Sequence, residues 1–420
     1  LRLKTNRTMA KISPFKAIRP TRDKIHLVAT RPYYTYKDNV LKAKLEDNPF
    51  TFLHIVNPEF GEKQKTKPNS KERFALVSDA YQDFMDRGIL KQDELPHIYM
   101  YRQTKDGNEY MGVIAGASVN EYKSDKIKKH EATITSREEM FTNYLNIVGY
   151  NAEPVLLSYS DIENQIEPIL YNKTKERPEN EYMTTDMIKH EMWIFTEDEA
   201  NAVIHAFKQL DATYICDGHH RCASSAGLKD WREGKGFNHF PNEDNFLAFF
   251  LNERRLTILE FNRLVKTMNG LTKEQLIDKL ETSFTIETLF IGEKPSKEHE
   301  ITMFVEESWF KLTCKDSIID HDHPVKCLDA EILTNFVLEP ILGISDLKTN
   351  KKIDFISGNQ ELNSLDSTME KGGFKIGFFL YPVEISDIKR VADNQMTMPP
   401  KSTWVEPKLR SGSTIYNINE

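Results

Sequence analysis

The run Tyr214-Ile215-Cys216-Asp217-Gly218-His219-His220-Arg221 constrains this chain more than any other. A short apolar segment leads into an acid, a glycine, two histidines and an arginine on consecutive positions. A helix-compatible stretch from Cys222 through Gly227 to Trp231 follows at once. The order predicts a strand, a tight turn and a helix start. Gly218 permits a turn conformation that a residue bearing a Cβ resists. The free N–H groups of a first helical turn and the positive end of its dipole favour an anion there. Arg221 can hold two phosphate oxygens at once, and the histidines can donate as well. Asp217 can hold Mg²⁺ or accept a proton. A solvated surface turn is the bland alternative, and it seldom concentrates so many functional groups. Zinc is the other alternative, because Cys216 and Cys222 flank the histidines. Their spacing fits no common ribbon or finger, and adjacent histidines point apart.

The remaining composition narrows the partners. The chain has 420 residues, enough for two or three domains, and 56 basic against 64 acidic side chains leave a formal net charge of −8. A mildly acidic chain is a poor general nucleic-acid binder, since phosphate neutralisation supplies most of that affinity. Four cysteines (Cys216, Cys222, Cys314 and Cys327) are too few for a disulfide-built scaffold. No apolar run reaches membrane-spanning length. Leu1–Thr8 is basic without an apolar core, so it reads as no secretory signal, with Met9 as the natural start and the eight residues added ahead of it. A cytoplasmic protein with free thiols is expected.

Strand and helix patterns alternate along the chain, which predicts a mixed α/β architecture. Three regions are expected: an N-terminal α/β domain over residues 1–120, a core over 121–265, and a C-terminal α/β domain over 266–420. In the first, Thr51–Val56 reads as a strand ended by Asn57-Pro58, and Lys71–Arg87 as a helix ended by Gly88. His97–Arg102 and Tyr110–Ala115 read as strands paired around Lys105–Asn108. In the second, Ser136–Asn146 and Glu197–Leu210 are helices, the latter capped by Thr196. Pro154–Tyr159 and Thr213–Ile215 are strands, Leu170–Met183 a surface excursion, and Trp231–Asp244 a loop. In the third, Thr272–Phe284 is a helix, Phe304–Leu312 a strand, and Leu328–Leu338 a helix stopped by Pro340. Lys375–Val383 is a buried strand and Asp387–Asp393 a short helix. Arg254, Arg255 and Arg263 read as a basic cluster on a solvated face or in salt bridges.

Two His-Glu pairs, His130-Glu131 and His190-Glu191, each set a carboxylate beside an imidazole, a pairing suited to general-base work on a hydroxyl. Alone, each is an ordinary surface dipeptide. The order around the first is more specific. His130-Glu131 is followed by Arg137-Glu138, then by a helix, then by Pro154-Val155-Leu156-Leu157, and after an excursion by Asp217–Arg221. This order resembles the ParB-like fold as used by free L-serine kinases. Pro399-Pro400-Lys401-Ser402-Thr403 resembles a Ser-Pro-Lys-Thr-Thr stretch near the end of those kinases, and Pro400–Arg410 the end of a large bacterial family with the same loop. The motifs cover about residues 127–230 and 396–416.

The resemblance implies roles. Glu131 is the general base that takes the proton of the acceptor hydroxyl. Asp217, Gly218, His219, His220 and Arg221 cradle the phosphoryl donor, with His220 and Arg221 on the transferring group and Asp217 on Mg²⁺. His130 and Arg137 orient Glu131 or touch phosphate. Lys401, Ser402 and Thr403 close over the acceptor, and His190, three residues before Trp193, joins the pocket, whereas Glu191 is structural. Where the kinases read Thr-Thr-Arg-His, this chain has Ser402-Thr403-Trp404-Val405, losing two cationic groups. The implied activity is transfer of a phosphoryl group to the hydroxyl of free L-serine, giving O-phospho-L-serine for cysteine biosynthesis, with pyrophosphate, ATP or ADP as donor. Two alternatives stand beside it: a ParB-like nucleotide-binding regulator, and a kinase for another small hydroxylated metabolite. No P-loop or protein-kinase motif set is present.

Overall fold

The computed structural model describes residues 10–359, 362 and 365–420. Leu1–Thr8 and Met9 lie outside the described residues. The chain divides into two compact units, one of residues 1–129, 133–256 and 407–420, the other of residues 130–132 and 257–406.

The first unit is built on a nine-stranded sheet. Its labelled strands are β1 (Tyr99–Lys105), β2 (Asn108–Ser118), β3 (Val155–Tyr159), β4 (Lys189–Ile194), β5 (Thr213–Asp217) and β6 (Asn245–Asn252). The spatial order is Ile127–Lys128, β5, β3, β6, β2, β1, β4 and Asn180–Met183, with Ile12–Ser13 also on β2. β1 and β2 form a hairpin whose register closes at Lys105 and Asn108. Asp106 and Gly107 both take positive φ in its turn, as a two-residue turn matching strand twist demands. Strands from both sides of residue 120 thus hydrogen-bond in one sheet: β1 and β2, ahead of it, pair with β4 and β6, beyond it. β6 pairs antiparallel with β2 and parallel with β3.

Three helices of this unit matter below: α1 (Thr135–Val148), α2 (Glu197–Phe207) and α3 (His219–Lys235). α2 opens on a complete capping box between Thr196 and Glu199. Val155, Leu157, Ile215, Phe246, Ala248 and Phe250 bury against helix residues such as Val203, Phe207, Cys222 and Ala226 in one apolar cluster.

The second unit carries a six-stranded antiparallel sheet of β7 (Phe261–Val265), β8 (Phe284–Leu289), β9 (Glu300–Val305), β10 (Ser308–Cys314), β11 (Ile353–Ser357) and β12 (Ile376–Leu380). The order is β8-β10-β9-β12-β7-β11. Val265, Met303, Leu312, Ile376 and Phe378 pack with Leu276 and Leu280 of α4 (Lys273–Leu280) and with the helix that begins at Asp329. α5 (Ile385–Asp393) is strongly amphipathic and buries Ile388 and Val391 with Leu328 and Met398.

Several expectations need correction. Thr51–Val56 is no strand: Leu53–Val56 is a short helix, with Leu53 and Ile55 fully buried. β-branched and aromatic content gave a strand signal there, and tertiary burial overrode it. The excursion at Leu170–Met183 is ordered, with a helix at Glu167–Lys173 that buries Leu170 and an edge strand at Asn180–Met183. Trp231–Lys235, read as loop, continues α3 to a left-handed stop at Gly236. Phe304–Leu312 is a hairpin of β9 and β10, turned by Glu306 and Glu307 at positive φ. Phe284 begins β8 rather than ending α4. Arg255 pairs with Glu167 at 2.7 Å, whereas Arg263 is fully buried, so the three arginines form no common face.

Candidate functional site

The strand-turn-helix read from Tyr214–Arg221 is present. β5 buries Tyr214, Ile215 and Cys216, and a register irregularity falls between Ile215 and Asp217 as it leaves β3. Gly218 sits at φ +102°, and a Cβ there would stand 3.1 Å from the guanidinium of Arg221. Glycine is therefore required twice, by conformation and by space. α3 starts with no side-chain cap and no acid in its first turn. A helix start without an acidic cap, at the positive end of the helix dipole, suits an anion.

Arg221 is not idle in this unit. Its Nη1 donates to the carbonyls of Pro154 (2.5 Å) and Glu153 (3.2 Å), and lies 2.9 Å from the Glu153 carboxylate. Its Nη2 donates to Asp217 at 3.1 Å. Lys408 stands 3.9 Å from the other Asp217 oxygen, and Ser411 donates to Glu153 at 3.0 Å. Burial works against the Arg221 charge, but Glu153 and Asp217 more than offset it and hold its pKa above the ordinary value. Burial in turn pushes the Glu153 carboxyl up, against the pull of Arg221. A preformed guanidinium is thus held by two carboxylates beside a helix start. His219 is buried and His220 half-buried, and the His220 carbonyl accepts from Ser224 at 2.7 Å.

Arg137 lies exposed on the first turn of α1. Thr142 donates to the Ser224 carbonyl at 3.4 Å, and Asn146 accepts from Arg232 at 3.3 Å. Successive contacts advance together along both helices, so α1 and α3 run in the same direction. Their first turns lie at one end, which brings Arg137 to the end that carries Asp217–Arg221. Glu153, Lys408 and Ser411 were not anticipated. The sequence sign of Glu153 was its place just before the Pro154 strand, that of Lys408 the Pro400–Arg410 stretch, and that of Ser411 its place directly after that stretch.

His190 is fully buried in β4. Its Nδ1 lies 2.6 Å from the Tyr101 hydroxyl, and its ring stacks on Tyr182 at 4.8 Å. Burial, with Arg410 adding repulsion, lowers its pKa to about 3, so the ring is neutral near pH 7. A neutral imidazole in the sheet interior offers no positive charge to a phosphate. Arg410 itself is buried and donates to Asp186 at 2.8 Å. Glu191 pairs with Arg102 at 2.7 Å and Lys189 at 2.9 Å.

The other residues named from the sequence fall in the second unit. His130 is buried and Glu131 exposed. The His130 carbonyl accepts from the Met398 N–H at 2.8 Å, so the His-Glu pair is tied to the tail segment. Lys401 takes φ +58° and its ammonium stands 5.3 Å from the Phe261 ring. Ser402 is buried and donates to the Pro399 carbonyl at 2.8 Å. Thr403 is half-buried, and Trp404 packs edge-on to Phe261 at 5.5 Å.

Burial raises the Cys216 thiol to about 12 and the Cys222 thiol further, so neither is a thiolate near pH 7. No group of three His, Cys, Asp or Glu side chains fit to hold a metal exists among the described residues. Mg²⁺ that arrives on phosphates needs only one or two carboxylates from a protein, and Asp217 is of that kind. No helix among the described residues is long and apolar enough to cross a membrane.

Two folded α/β units, one presenting an arginine and a glycine turn at a helix start, define the class of protein. Residues 12–331 match the model of the family described as protein of unknown function (DUF1015), and the chain belongs to that family. No curated protein matches the sequence. Among solved structures, the chain is similar to a conserved hypothetical protein from Pyrococcus furiosus at 14% identity and a TM-score of 0.35, over 70% of this chain and 90% of that one. It is similar to a free serine kinase in complex with AMP at 14% identity and a TM-score of 0.36, over 72% and 91%. It is also similar to SbnI with C-terminal truncation from Staphylococcus aureus at 12% identity and a TM-score of 0.37, over 70% and 82%.

Proposed function

We propose that this chain is a phosphotransferase that moves a phosphoryl group onto the hydroxyl of free L-serine. The observation that carries the reading is the Gly218 turn, which sets an uncapped helix start beside a guanidinium already held in place. The donor phosphates sit on the first-turn N–H groups of α3. Arg221 exchanges part of its hold on Glu153 and Asp217 for phosphate oxygens, which keeps its charge paired before and after binding. Arg137 adds a positive charge at the same end. Asp217, relieved of Arg221, would be the carboxylate to hold a Mg²⁺ arriving with the donor, whose charge would offset that of the phosphates.

Glu131 accepts the serine hydroxyl proton as the oxygen–phosphorus bond forms and the bond to the leaving group breaks. ATP then leaves as ADP, ADP as AMP, or pyrophosphate as phosphate. Glu131 is exposed and so able to meet a substrate, and His130 is anchored through Met398 to the segment that carries Lys401–Thr403. The ParB-like motif order in the sequence supports the same assignment. Incubation with Mg²⁺, L-serine and each of ATP, ADP and pyrophosphate should yield phosphoserine, detected by mass, with at least one donor. Absence of product with all three overturns the reading.

A further inference from the structure

The second unit holds a cavity that the phosphate loop does not account for. Its volume is about 100 Å³, well under that of a drug-sized site, which limits it to a small molecule. Its titratable lining includes Glu298, His299, His321, Asp329, Asp387 and Arg390, and Phe261 and Leu380 supply apolar wall. The charged groups all belong to residues 266–390, outside the motif resemblance, whereas Ser402, which also lines the cavity, lies within it.

The carboxylates crowd one another. Burial raises Glu298, Asp329 and Asp387, and Asp387 raises Glu298 further. His299 answers Asp329: its backbone N–H and ring Nδ1 both face one Asp329 oxygen, at 2.9 and 3.1 Å. Arg390 lies 3.3 Å from Asp387 and 2.8 Å from the Cys327 sulfur. Glu298 is exposed at the mouth. The lining sets three carboxylates against one guanidinium and two imidazoles, and an ammonium suits the carboxylate side.

A second observation points the other way in charge. Arg263, on β7, has no exposed surface, and its Nε and Nη2 have no hydrogen-bond partner among the described residues. Its Nη1 donates to the Phe261 carbonyl, so the guanidinium leans along the strand toward a residue that lines the cavity. Arg263 and Phe261 alternate onto the same face of β7. Its cross-strand neighbour Phe378 shares a face with Leu380, another lining residue. Burial lowers the Arg263 pKa to about 10, and Asp329 is the acid that pulls it back. A buried guanidinium with two open donors lacks an anion.

We infer that this cavity binds a free α-amino acid by both charged ends, its carboxylate toward Arg263 and its ammonium among Glu298, Asp329 and Asp387. A zwitterion supplies both missing charges within one small molecule, which neither a simple anion nor a simple amine does. The inference stands apart from phosphotransfer and would hold for a chain that transfers no phosphate.

The test is calorimetric titration of the full chain, without any phosphoryl donor, with L-serine, L-alanine, propionate and ethylamine. At least one amino acid should bind at least tenfold tighter than propionate or ethylamine. The exposed Glu298→Gln change should weaken that binding at least tenfold while the melting temperature stays put. Arg263→Met should abolish it, with circular dichroism verifying the fold. No binding of either amino acid, equal binding of the one-charge analogues, or unchanged affinity in Glu298→Gln overturns the inference. Because no donor is present, failure here is separable from failure to make phosphoserine.

Discussion

At Gly218 two demands meet on one residue. A side chain would need a left-handed backbone and would press a Cβ to 3.1 Å from Arg221. Gly218→Ala should therefore cost about 1–3 kcal/mol of stability and displace Arg221 from Glu153. Nucleotide affinity, read by titration, should fall with the melting temperature; unchanged values for both would rule out this role for the turn. Glu131 is a different kind of residue, exposed to solvent. Glu131→Gln should lower turnover by on the order of 10²–10⁴ while donor binding persists. Near-normal turnover would exclude it as the base.

His190 gives a residue-scale pH prediction. Its folded pKa, about 3, lies below the unfolded value, so between these values the unfolded chain binds the extra proton. Stability should therefore fall as pH drops from about 6.5 toward 3, by up to roughly 1.4 kcal/mol per unit. Urea unfolding across that window should show a shallower slope in His190→Gln. An identical slope would show that His190 is not the group responsible.

At the scale of elements, α1 and α3 are the pair that presents the loop. Their contact depends on a small residue: a Cβ on Gly227 would lie 2.9 Å from the Thr142 hydroxyl. Gly227→Val should push the helices apart at a cost of about 1–3 kcal/mol. It should also weaken donor binding, because Arg137 and Arg221 ride on the two helices. Chemical denaturation and donor titration measure the two effects, and a stable variant with full affinity would refute the coupling. The helices were legible beforehand because their apolar spacing and caps are local. Thr196 capped α2 as read, with Glu199 completing the box, and Gly218 marked the start of α3. The misread elements failed for a shared reason. Leu53–Val56 and the helix at Glu167–Lys173 are short, and short elements take their conformation from what buries them rather than from propensity.

For the whole molecule, the first unit is closed by the end of the chain. Residues 407–420 return to it after the entire second unit. Thr414, Ile415, Tyr416 and Ile418 are nearly or fully buried, and Ile415 packs with Val28, Phe52 and Tyr150. Ending the chain after Glu406 should therefore strip apolar contacts worth about 1.5–3 kcal/mol for each large side chain lost. Hydrogen exchange should show β1–β6 losing protection while β7–β12 keep it. Unchanged exchange in β1–β6 would contradict this account of the tail.

The sequence by itself determined the mixed α/β class, the strand-turn-helix at Asp217–Arg221, and the glycine that makes that turn possible. These depend on neighbours within a few positions, where side-chain chemistry and backbone preference act directly. Only the tertiary structure decided what each charge meets. It gave Arg221 to Glu153, 68 positions away, and put His190 in an aromatic stack where burial disfavours its charge. It also buried Arg263 within reach of Asp329 and closed Arg410 onto Asp186, 224 positions earlier. Charges act through space over a few ångströms, and which residues come that close is set by how strands and helices pack, not by their order along the chain.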